Sequence, residues 1–392
     1  MAVLTETMVR ALIAAGLAAP SAENHHYVQF AWNGVDTLTL QESPAAYPPS
    51  RVFNAHILSL IGAGAMVENI IMRASQDGFE VEVDETLGSL WRISLHFQAV
   101  AGLLADPFAS AITARHTNRK WFRSPGLSAT QKNDVEAQLA ACSASGRVLW
   151  LDQPDQRKQA LSLVWRAESE RFKSAELHQE LFSAVRFDVG WEATATEGLP
   201  PGSLEVEKPM RAGFQMMSHW PVARALSLFG AHRMMGLRAG YLPVRGAPNL
   251  AVIATTGELA PACFEGGRLL ERLWLQATAY GFSVQPLAAS CLLAMPGWRG
   301  VTPACASALQ RGWERLIGSQ HMPIALVRIG TADPVSLRTG RQQVSSMAVS
   351  GLAYKNPCQS LHRGLGGDVA KRLPLCCAAA ARAGSCRQQA QA

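Results

Sequence analysis

The chain has 392 residues, of which 48% are hydrophobic and 17% are charged, so it holds enough apolar material for two domains or one large one. Most of the formal net charge of +6 comes from residues 351–392, and the nearly neutral remainder argues against a broad nucleic-acid-binding surface. No uninterrupted apolar run is long enough to span a bilayer. Glu6 precedes the first basic residue, Arg10, which is not the order of a secretory signal. We therefore expect a cytoplasmic protein with neither a nucleic-acid nor a membrane partner.

The predicted elements begin with a helix at residues 7–21, which leads into a strand at residues 27–32 (YVQFAW). The same order returns downstream, where residues 128–142 predict a helix and residues 147–151 (RVLWL) predict a strand.

A segment of the chain occurs twice, because residues 64–83 and residues 267–286 align without a gap at an offset of 203. Gly64 and Gly267 are predicted to open an amphipathic helix in each copy. A second glycine closes the helix in a conformation of positive φ, and a short alternating strand follows. A further strand is predicted after each copy, at residues 90–97 and 322–330.

Glu68 and Glu271 occupy equivalent positions of these two copies. The simplest account is two α+β units of one ancestry, covering residues 1–110 and 111–345 and joined near residues 105–115.

The second unit contains an insertion, residues 165–241. It begins with a charged helical stretch, continues through a loop rich in proline and glycine, and ends in a stretch rich in methionine, aromatic residues and arginine. Two interpretations stay open: a lid over a ligand, or a packed helical subdomain. The apolar anchors of such a lid would be Met216, Met217, Trp220, Met234 and Met235.

The eight cysteines divide between the body and the tail of the chain. Cys142, Cys263, Cys291 and Cys305 have apolar sequence neighbours, and the chain has no Cys-x-x-Cys pair, so zinc-ribbon and thioredoxin sites lose their main signal. We expect these four to be reduced and buried. The other four lie in the basic tail, residues 346–392, whose composition predicts disorder, with a redox role as the alternative.

Two short motifs point to a ligand. Pro20, Ser21 and Asn24 form a Pro-Ser-x-x-Asn turn near the start, and Arg115-x-Thr117-x-Arg119 lies far downstream. Together with the glycine-ended central helix and a C-terminal Arg-Ile-Gly strand followed by spaced arginines, they resemble the nitroreductase-type flavoprotein family over roughly residues 5–345. The resemblance extends to its fused, single-flavin (Acg-like) branch, and to the nitroreductase-like domains attached to ThiF-type adenylating domains.

The resemblance implies an α+β nitroreductase-type fold with central, mainly antiparallel sheets flanked by helices. Ordinary members are homodimers that bind FMN at the subunit interface. One subunit supplies the arginine-rich run and the C-terminal basic residues, and the other supplies the Pro-Ser-x-x-Asn turn. Here the first half carries only the turn and the second half only the run. The resemblance therefore implies one FMN per chain, built by both halves, so that a monomer suffices and a dimer is permitted.

The resemblance also assigns roles to residues, each with an alternative. Arg115 and Arg119 would share one helical face if their segment is helical, and with Arg338 and Arg341 they would bind phosphate. The alternative is four solvated surface arginines.

Ser21 and Asn24 would contact the polar rim of the flavin or simply cap a turn, and His26 stands where the family has glutamine. Gln285, Pro286 and Leu287 would lie in a loop past the flavin's N5 and O4, or in an ordinary strand exit. The pair His25 and His26 lacks a third ligand, so no metal site is predicted.

The predicted function is an FMN-dependent oxidoreductase of the nitroreductase type. It would work by ping-pong hydride transfer through flavin N5 to or from a small organic substrate, with NAD(P)H as the expected reductant. No catalytic side chain is assigned, because the hydride chemistry belongs to the flavin. Two alternatives remain: a protein that sequesters FMN under a lid with little turnover, and a flavin-free relic that binds another anion or a partner.

Overall fold

The computed structural model describes residues 3–43, 52–344, 349 and 351–352. The described residues belong to one compact unit. The predicted tail, residues 346–392, lies almost wholly outside the described residues, and its four cysteines lie outside them altogether.

The first part of the chain forms a four-stranded sheet with the strand order β1-β2-β4-β3, in which all neighbours are antiparallel. The elements in chain order are α1 (Glu6–Leu17), β1 (Val28–Trp32), β2 (Thr37–Glu42), α2 (Val52–Gln76), β3 (Phe79–Leu87) and β4 (Trp91–Ala99).

The second part forms another antiparallel sheet, in which β6 pairs with β7, β7 with β9, and β9 with both β8 and β5. The elements in chain order are β5 (Phe122–Arg123), α3 (Ala129–Cys142), β6 (Gly146–Trp150), α4 (Pro154–Lys173), α5 (Ala175–Ser183), α6 (Arg211–Met217), α7 (Trp220–Ser227), α8 (Ala231–Gly236), α9 (Leu242–Arg245), β7 (Asn249–Thr255), α10 (Leu259–Ala279), β8 (Ser283–Leu287), α11 (Ala289–Leu292), α12 (Pro303–Ile317) and β9 (Met322–Ala332).

The fold is thus α+β with antiparallel sheets, as the sequence predicts. The predicted helices and strands correspond to α1, β1, α2, β3, β4, α3, β6, α10, β8 and β9. The sequence patterns do not predict several elements, among them β2, β7 and α12. All seven residues of β7 are buried, so its sequence, NLAVIAT, has no alternation to mark it as a strand.

The ends of α2 and α10 follow the prediction. Gly78 has φ +79° and Gly281 has φ +82°, the left-handed conformation that glycine adopts without steric cost. At the start of the chain, Thr5 caps α1, because its side chain accepts a hydrogen bond from the Met8 N–H at 3.3 Å.

The predicted role of Gly64 and Gly267 as helix openers is wrong. Both lie in the interior of long helices, which begin at Val52 and Leu259. Their lack of a side chain serves a close helix crossing instead. A Cβ on Gly64 would lie 2.0 Å from the Phe264 carbonyl oxygen, and a Cβ on Gly267 would lie 2.0 Å from the Ile61 carbonyl oxygen.

The helix α2 is long and apolar enough, over Phe53–Gln76, to cross a membrane by length and composition. Polar residues interrupt it, so it contains no uninterrupted apolar run of that length. However, 78% of its most apolar window is buried inside the protein, where it packs on α1 and α10. These properties are those of a central core helix.

The main hydrophobic core extends through both sheets and includes the buried Trp91, Trp274 and Trp313. Cys263, Cys291 and Cys305 are free and buried, as predicted, and Cys142 is free and partly buried.

The predicted charged helical stretch of the insertion is confirmed as the end of α4 and as α5. The Met-rich stretch forms three short helices, α6 to α8. Met217 is buried in a satellite core with Phe172 and Phe182, against which Trp220 and Met235 pack. Met216 and Met234 are exposed, so they do not act as anchors.

Candidate functional site

Two turns and a buried helix face meet beside α2, and they bring together side chains from distant parts of the chain. We call Ser21, Asn24, His26, Arg115, Glu271 and Arg341 the buried polar cluster. Four of its members, Ser21, Asn24, His26 and Arg115, come from the predicted motifs, and Arg341 from the predicted C-terminal pair. Glu271, on α10, was not predicted as a site residue.

The Pro-Ser-x-x-Asn turn is locally constrained. Glu23 and Asn24 have φ +57° and +58°, a left-handed conformation that is uncommon for residues other than glycine. Two consecutive residues of this kind mark local backbone strain, which often accompanies binding sites. The Asn24 amide donates to the Thr196 and Gly340 carbonyls at 3.1 and 3.3 Å, and its Oδ1 accepts from Arg341.

Arg115 is the most deeply buried cation of the cluster. Its Nη2 donates to the Ala18 carbonyl at 2.5 Å, its Nε lies 3.1 Å from Glu271 Oε1, and its guanidinium lies over the Trp274 ring. Burial lowers the pKa of Arg115 from its ordinary value, although Glu271 opposes this. Burial also raises the pKa of Glu271 to about 7, against the effects of Arg115 and Asn69.

Arg341 adds a second, partly buried cation. Besides Asn24, it donates to Thr339 Oγ1 at 3.1 Å. Burial, followed by the charge of Arg115, lowers the pKa of Arg341 to about 10, although Glu271 opposes this. Two guanidiniums therefore face one carboxyl group with a pKa near neutrality, so the cluster carries an excess of positive charge.

His26 is neutral at physiological pH. Burial, followed by the charges of Arg341 and Arg115, lowers the pKa of His26 to about 3, while the Leu17 backbone opposes this weakly. Neither ring nitrogen makes a hydrogen bond of ordinary geometry.

The expectation of a helical face for Arg115 and Arg119 is wrong. The segment that contains them is irregular, and it runs beside β8, where Thr117 forms a parallel bridge with Val284. The Asn118 N–H donates to the Val284 carbonyl at 3.1 Å. A backbone held in this way cannot form helical hydrogen bonds, so the two arginines reach different environments.

Arg119 belongs to a second group of cations. Its Nη1 donates to the Ser203 carbonyl at 3.1 Å, and burial lowers the pKa of Arg119 to about 10, although Glu205 opposes this. Arg328, on β9, is fully buried over the Phe122 ring. Burial, followed by the charges of Arg119 and Arg238, lowers the pKa of Arg328 to about 9.

The predicted loop at Gln285, Pro286 and Leu287 is instead part of β8, which is paired with β9. Gln285 Oε1 accepts from Arg328 Nε at 2.7 Å, so this residue lies in the second cation group. The side chain of Leu287 is buried in the core.

Arg338 lies apart from the buried polar cluster. Its side chain is exposed, and its carbonyl accepts from Thr194 Oγ1 at 2.8 Å. Pro20 is partly buried, and its carbonyl lies against α2 at Gly62.

A loop of the insertion covers these residues. We call residues 190–205 the covering loop. It provides the Thr196 carbonyl to Asn24 and the Ser203 carbonyl to Arg119, and Glu205 Oε2 lies 3.0 Å from Lys120 Nζ. The insertion therefore contacts the site through its Pro/Gly loop rather than through the expected Met-rich helices.

The carboxylate at the position equivalent to Glu271 has different surroundings. Glu68 Oε1 accepts from Arg272 Nε at 2.6 Å, and Glu68 Oε2 accepts from Arg268 Nε at 3.1 Å. Asp106 and Glu265 bind the same two arginines. Three carboxylates outnumber two guanidiniums here, so this location, unlike the buried polar cluster, has no excess of cations.

The repeat itself gave a signal for Glu271. An acidic residue at the same place of two largely apolar helices needs a partner when it is buried. No comparable signal marks Arg328, which sits in an apolar strand. Among the described residues, no group of His, Cys, Asp and Glu side chains is suited to a metal ion.

No family profile matches the chain, and no curated protein matches it significantly. Several solved structures do match the chain. They include the nitroreductase with bound FMN from Bacteroides fragilis, at 12% identity over 62% of this chain and 98% of that one, with a TM-score of 0.37. The FMN-dependent nitroreductase NfnB from Mycobacterium smegmatis in complex with NADPH matches at 16% identity, over 61% and 95%, with a TM-score of 0.35.

Iodotyrosine deiodinase bound to FMN and 3-iodo-L-tyrosine matches at 11% identity, over 60% of this chain and 96% of that one, with a TM-score of 0.33. The chain is therefore similar to nitroreductase-like FMN proteins of known structure.

Proposed function

We propose that this protein binds one FMN per chain at the buried polar cluster and the neighbouring cation group, and that it is an FMN-dependent oxidoreductase. The observation that carries the proposal is a convergence. The turn with Ser21, Asn24 and His26 meets Arg115 and Arg341, which lie far apart in sequence, at one place with excess positive charge. A phosphate dianion would neutralise this excess.

Unsatisfied polar atoms support a polar ligand in the same place. Ser21 Oγ, Arg115 Nη1 and Gln342 Oε1 are buried without a hydrogen-bond partner, which native proteins normally avoid. Two donors and one acceptor at the edge of a cationic cluster fit a molecule that combines a phosphate with polar groups, as FMN does.

The residues divide by their chemistry. Arg115 and Arg341 would hold the phosphate, because a guanidinium offers a rigid fork of donors. Ser21, Asn24 and the neutral His26 would hold uncharged polar groups of the ligand. FMN, when bound, would supply hydride transfer between a reductant such as NAD(P)H and a small organic substrate.

We further propose that the chain is a fused pair of related halves, each with the sheet order seen in the other. β1-β2-β4-β3 corresponds to β6-β7-β9-β8. The excess of carboxylates around Glu68 would then mark the place of a second site that does not bind FMN. One chain would suffice for binding, so the site would not depend on dimerisation.

A second candidate function rests on the covering loop. Its carbonyls already bind Asn24 and Arg119, so a bound flavin would lie beneath it with restricted access. This arrangement favours tight FMN holding with slow turnover, or a specialised substrate.

The first experiment measures flavin content. Purified protein is incubated with excess FMN, passed through a desalting column and analysed by visible absorbance. We expect one FMN per chain, unchanged when dilution dissociates any oligomer. Absence of flavin absorbance after reconstitution would refute FMN binding. Stopped-flow mixing with NADPH then separates the two functions, because rapid bleaching favours the reductase and bleaching by dithionite alone favours the holding protein.

A further inference from the structure

The last part of the insertion, together with the four residues that follow it, is basic. We call residues 208–245 the basic segment, which contains α6 to α9. It holds no aspartate or glutamate and carries Lys208, Arg211, Arg224, Arg233, Arg238 and Arg245. The first 350 residues, to which this segment belongs, have a net charge close to zero. The positive charge of the segment is therefore a local feature.

The same segment exposes much of the apolar surface of the protein. Twelve large hydrophobic side chains are exposed among the described residues, and six of them lie in the basic segment: Met210, Met216, Leu226, Leu228, Phe229 and Met234. Leu228 and Phe229 are 83% and 90% exposed. They are adjacent in the turn between α7 and α8, just before Gly230, whose φ of +87° forms the turn.

This turn projects from a well-packed base. Ala223 is buried in the satellite core and Trp220 packs against that core, so these two residues anchor α7. On the other side of the turn, Trp165 Nε1 donates to the Arg233 carbonyl at 3.1 Å, which holds α8 on α4. The two apolar side chains are thus presented to solvent by two anchored helices.

Cations flank the exposed pair. Arg224 lies four residues before Leu228, and Arg233 lies four residues after Phe229. Both are exposed, and neither guanidinium makes an ion pair among the described residues. In contrast, Arg211 and Arg238 are paired with Glu192 and Glu207.

Charge decides which partner fits this surface. A second copy docking through the same face would bring like charges together. Residues 353–392 are also basic, so they are not complementary to it either. A surface with exposed apolar side chains between arginines matches an anionic lipid bilayer, which attracts the cations and accepts the apolar groups.

We propose that the basic segment docks this protein reversibly on anionic bilayer surfaces, with Leu228 and Phe229 entering the acyl-chain boundary. This peripheral binding requires no membrane-spanning helix, and it departs from the expectation, based on the sequence, that the protein has no membrane partner. It is independent of FMN binding.

The experiment is co-sedimentation of the full chain with phosphatidylcholine vesicles that do or do not contain phosphatidylserine. We expect binding only to the anionic vesicles, weakened about tenfold or more between low and physiological salt. The double variant Leu228→Ser/Phe229→Ser keeps every charge and should weaken binding about tenfold or more. The matched control is Leu104→Ser, which alters a side chain that is 87% exposed outside the segment and should bind like the wild type.

The double variant also separates the basic segment from the basic C-terminal residues. If Leu228→Ser/Phe229→Ser bound anionic vesicles as well as the wild type does, the proposal would be wrong, since charge elsewhere would explain the binding. Self-association without vesicles that the same variant abolishes would also overturn it. As a second readout, Phe229→Trp should gain blue-shifted emission with anionic vesicles, and Leu104→Trp should not.

Discussion

Gly64 and Gly267 occupy equivalent places on the two sides of one helix crossing. The carbonyl that blocks a side chain at Gly64 belongs to Phe264, and the one that blocks a side chain at Gly267 belongs to Ile61. Phe264 and Ile61 are themselves 203 positions apart, the same offset that relates the two glycines. The contact between α2 and α10 is therefore reciprocal, as at the dyad of a symmetric dimer.

This crossing should not tolerate a methyl group. Gly64→Ala or Gly267→Ala forces the helices apart, and each should lower the free energy of unfolding by about 1–3 kcal/mol or more. The measurement is urea unfolding followed by circular dichroism. Gly213→Ala in α6, whose new Cβ would meet nothing within 4 Å, is the control and should be neutral or stabilising by about 0.5–1 kcal/mol. Equal effects at the three positions would argue against a tight crossing.

Arg341 and Arg338 should differ in their effect on flavin binding. Arg341→Met removes a partly buried cation from the buried polar cluster and should weaken FMN binding about tenfold or more. Arg338→Met alters an exposed side chain and should change FMN binding little. Titration by flavin fluorescence with FMN and with riboflavin, which lacks the phosphate, tests the assignment. If Arg341→Met weakened the binding of FMN and of riboflavin equally, Arg341 would not bind the phosphate.

His26 should make stability depend on acid. Its pKa in the folded protein is about 3, below the ordinary 6.5, so the unfolded chain takes up a proton first as the pH falls. Its contribution to stability is complete above pH 6.5 and is lost towards pH 3. Against His26→Gln, the wild type should lose about 3 kcal/mol of relative stability between neutral pH and about pH 4.5. A His26 ring that titrates near pH 6.5 by NMR would contradict this.

Glu271 should act in the opposite direction. Its pKa in the folded protein, about 7, lies above the ordinary 4.5, so its contribution is complete below pH 4.5 and is lost as the pH rises through 7. Relative to Glu271→Gln, the flavin-free wild type should lose roughly 3 kcal/mol of stability over this interval. Urea unfolding at a series of pH values measures it, with the exposed Glu82→Gln as the control. A constant difference between wild type and Glu271→Gln would contradict the prediction.

The covering loop should control release of the flavin. Replacing Pro200 and Pro201 by glycine loosens the loop without changing any carbonyl that it provides, so FMN should dissociate several-fold faster and NADPH should bleach it faster. Met216→Ser alters an exposed side chain of the Met-rich stretch and should leave both rates unchanged. If FMN dissociated faster only from Met216→Ser, the Met-rich helices, and not the covering loop, would cover the flavin.

The sequence predicts those parts of the fold that local patterns determine. Gly78 and Gly281 mark helix ends because a positive φ is a property of one residue. The interior role of Gly64 depends instead on a helix 200 residues away, so nothing near it in sequence reveals the crossing. β7 is missed for a related reason, since a strand buried on both faces has no alternating pattern.

The site shows the same division. The motif residues Ser21, Asn24 and Arg115 could be selected by type and spacing, but their conformations could not. The four-residue spacing of Arg115 and Arg119 is typical of a helical face. The bridge between Thr117 and Val284 prevents the segment from forming a helix, and nothing near it in sequence indicates that bridge. Glu271 enters the site through tertiary burial beside Arg115. Its equivalence to Glu68 in the repeat marks it as unusual, but no pattern within its own segment places it beside Arg115.

Glu68 and Glu271 are encoded by separate codons, although they occupy equivalent positions. In a homodimer, a single codon would encode this glutamate in both subunits. Every substitution would then change the surroundings of both glutamates at once, so the two could not become different. In this chain a substitution at one position leaves the other intact. If the chain is a fused pair of related halves, as proposed above, the environment of Glu68 was free to acquire Arg272 as a partner while Glu271 remained beside Arg115. On that proposal the two halves can specialise independently, one for rigidity and the other for binding.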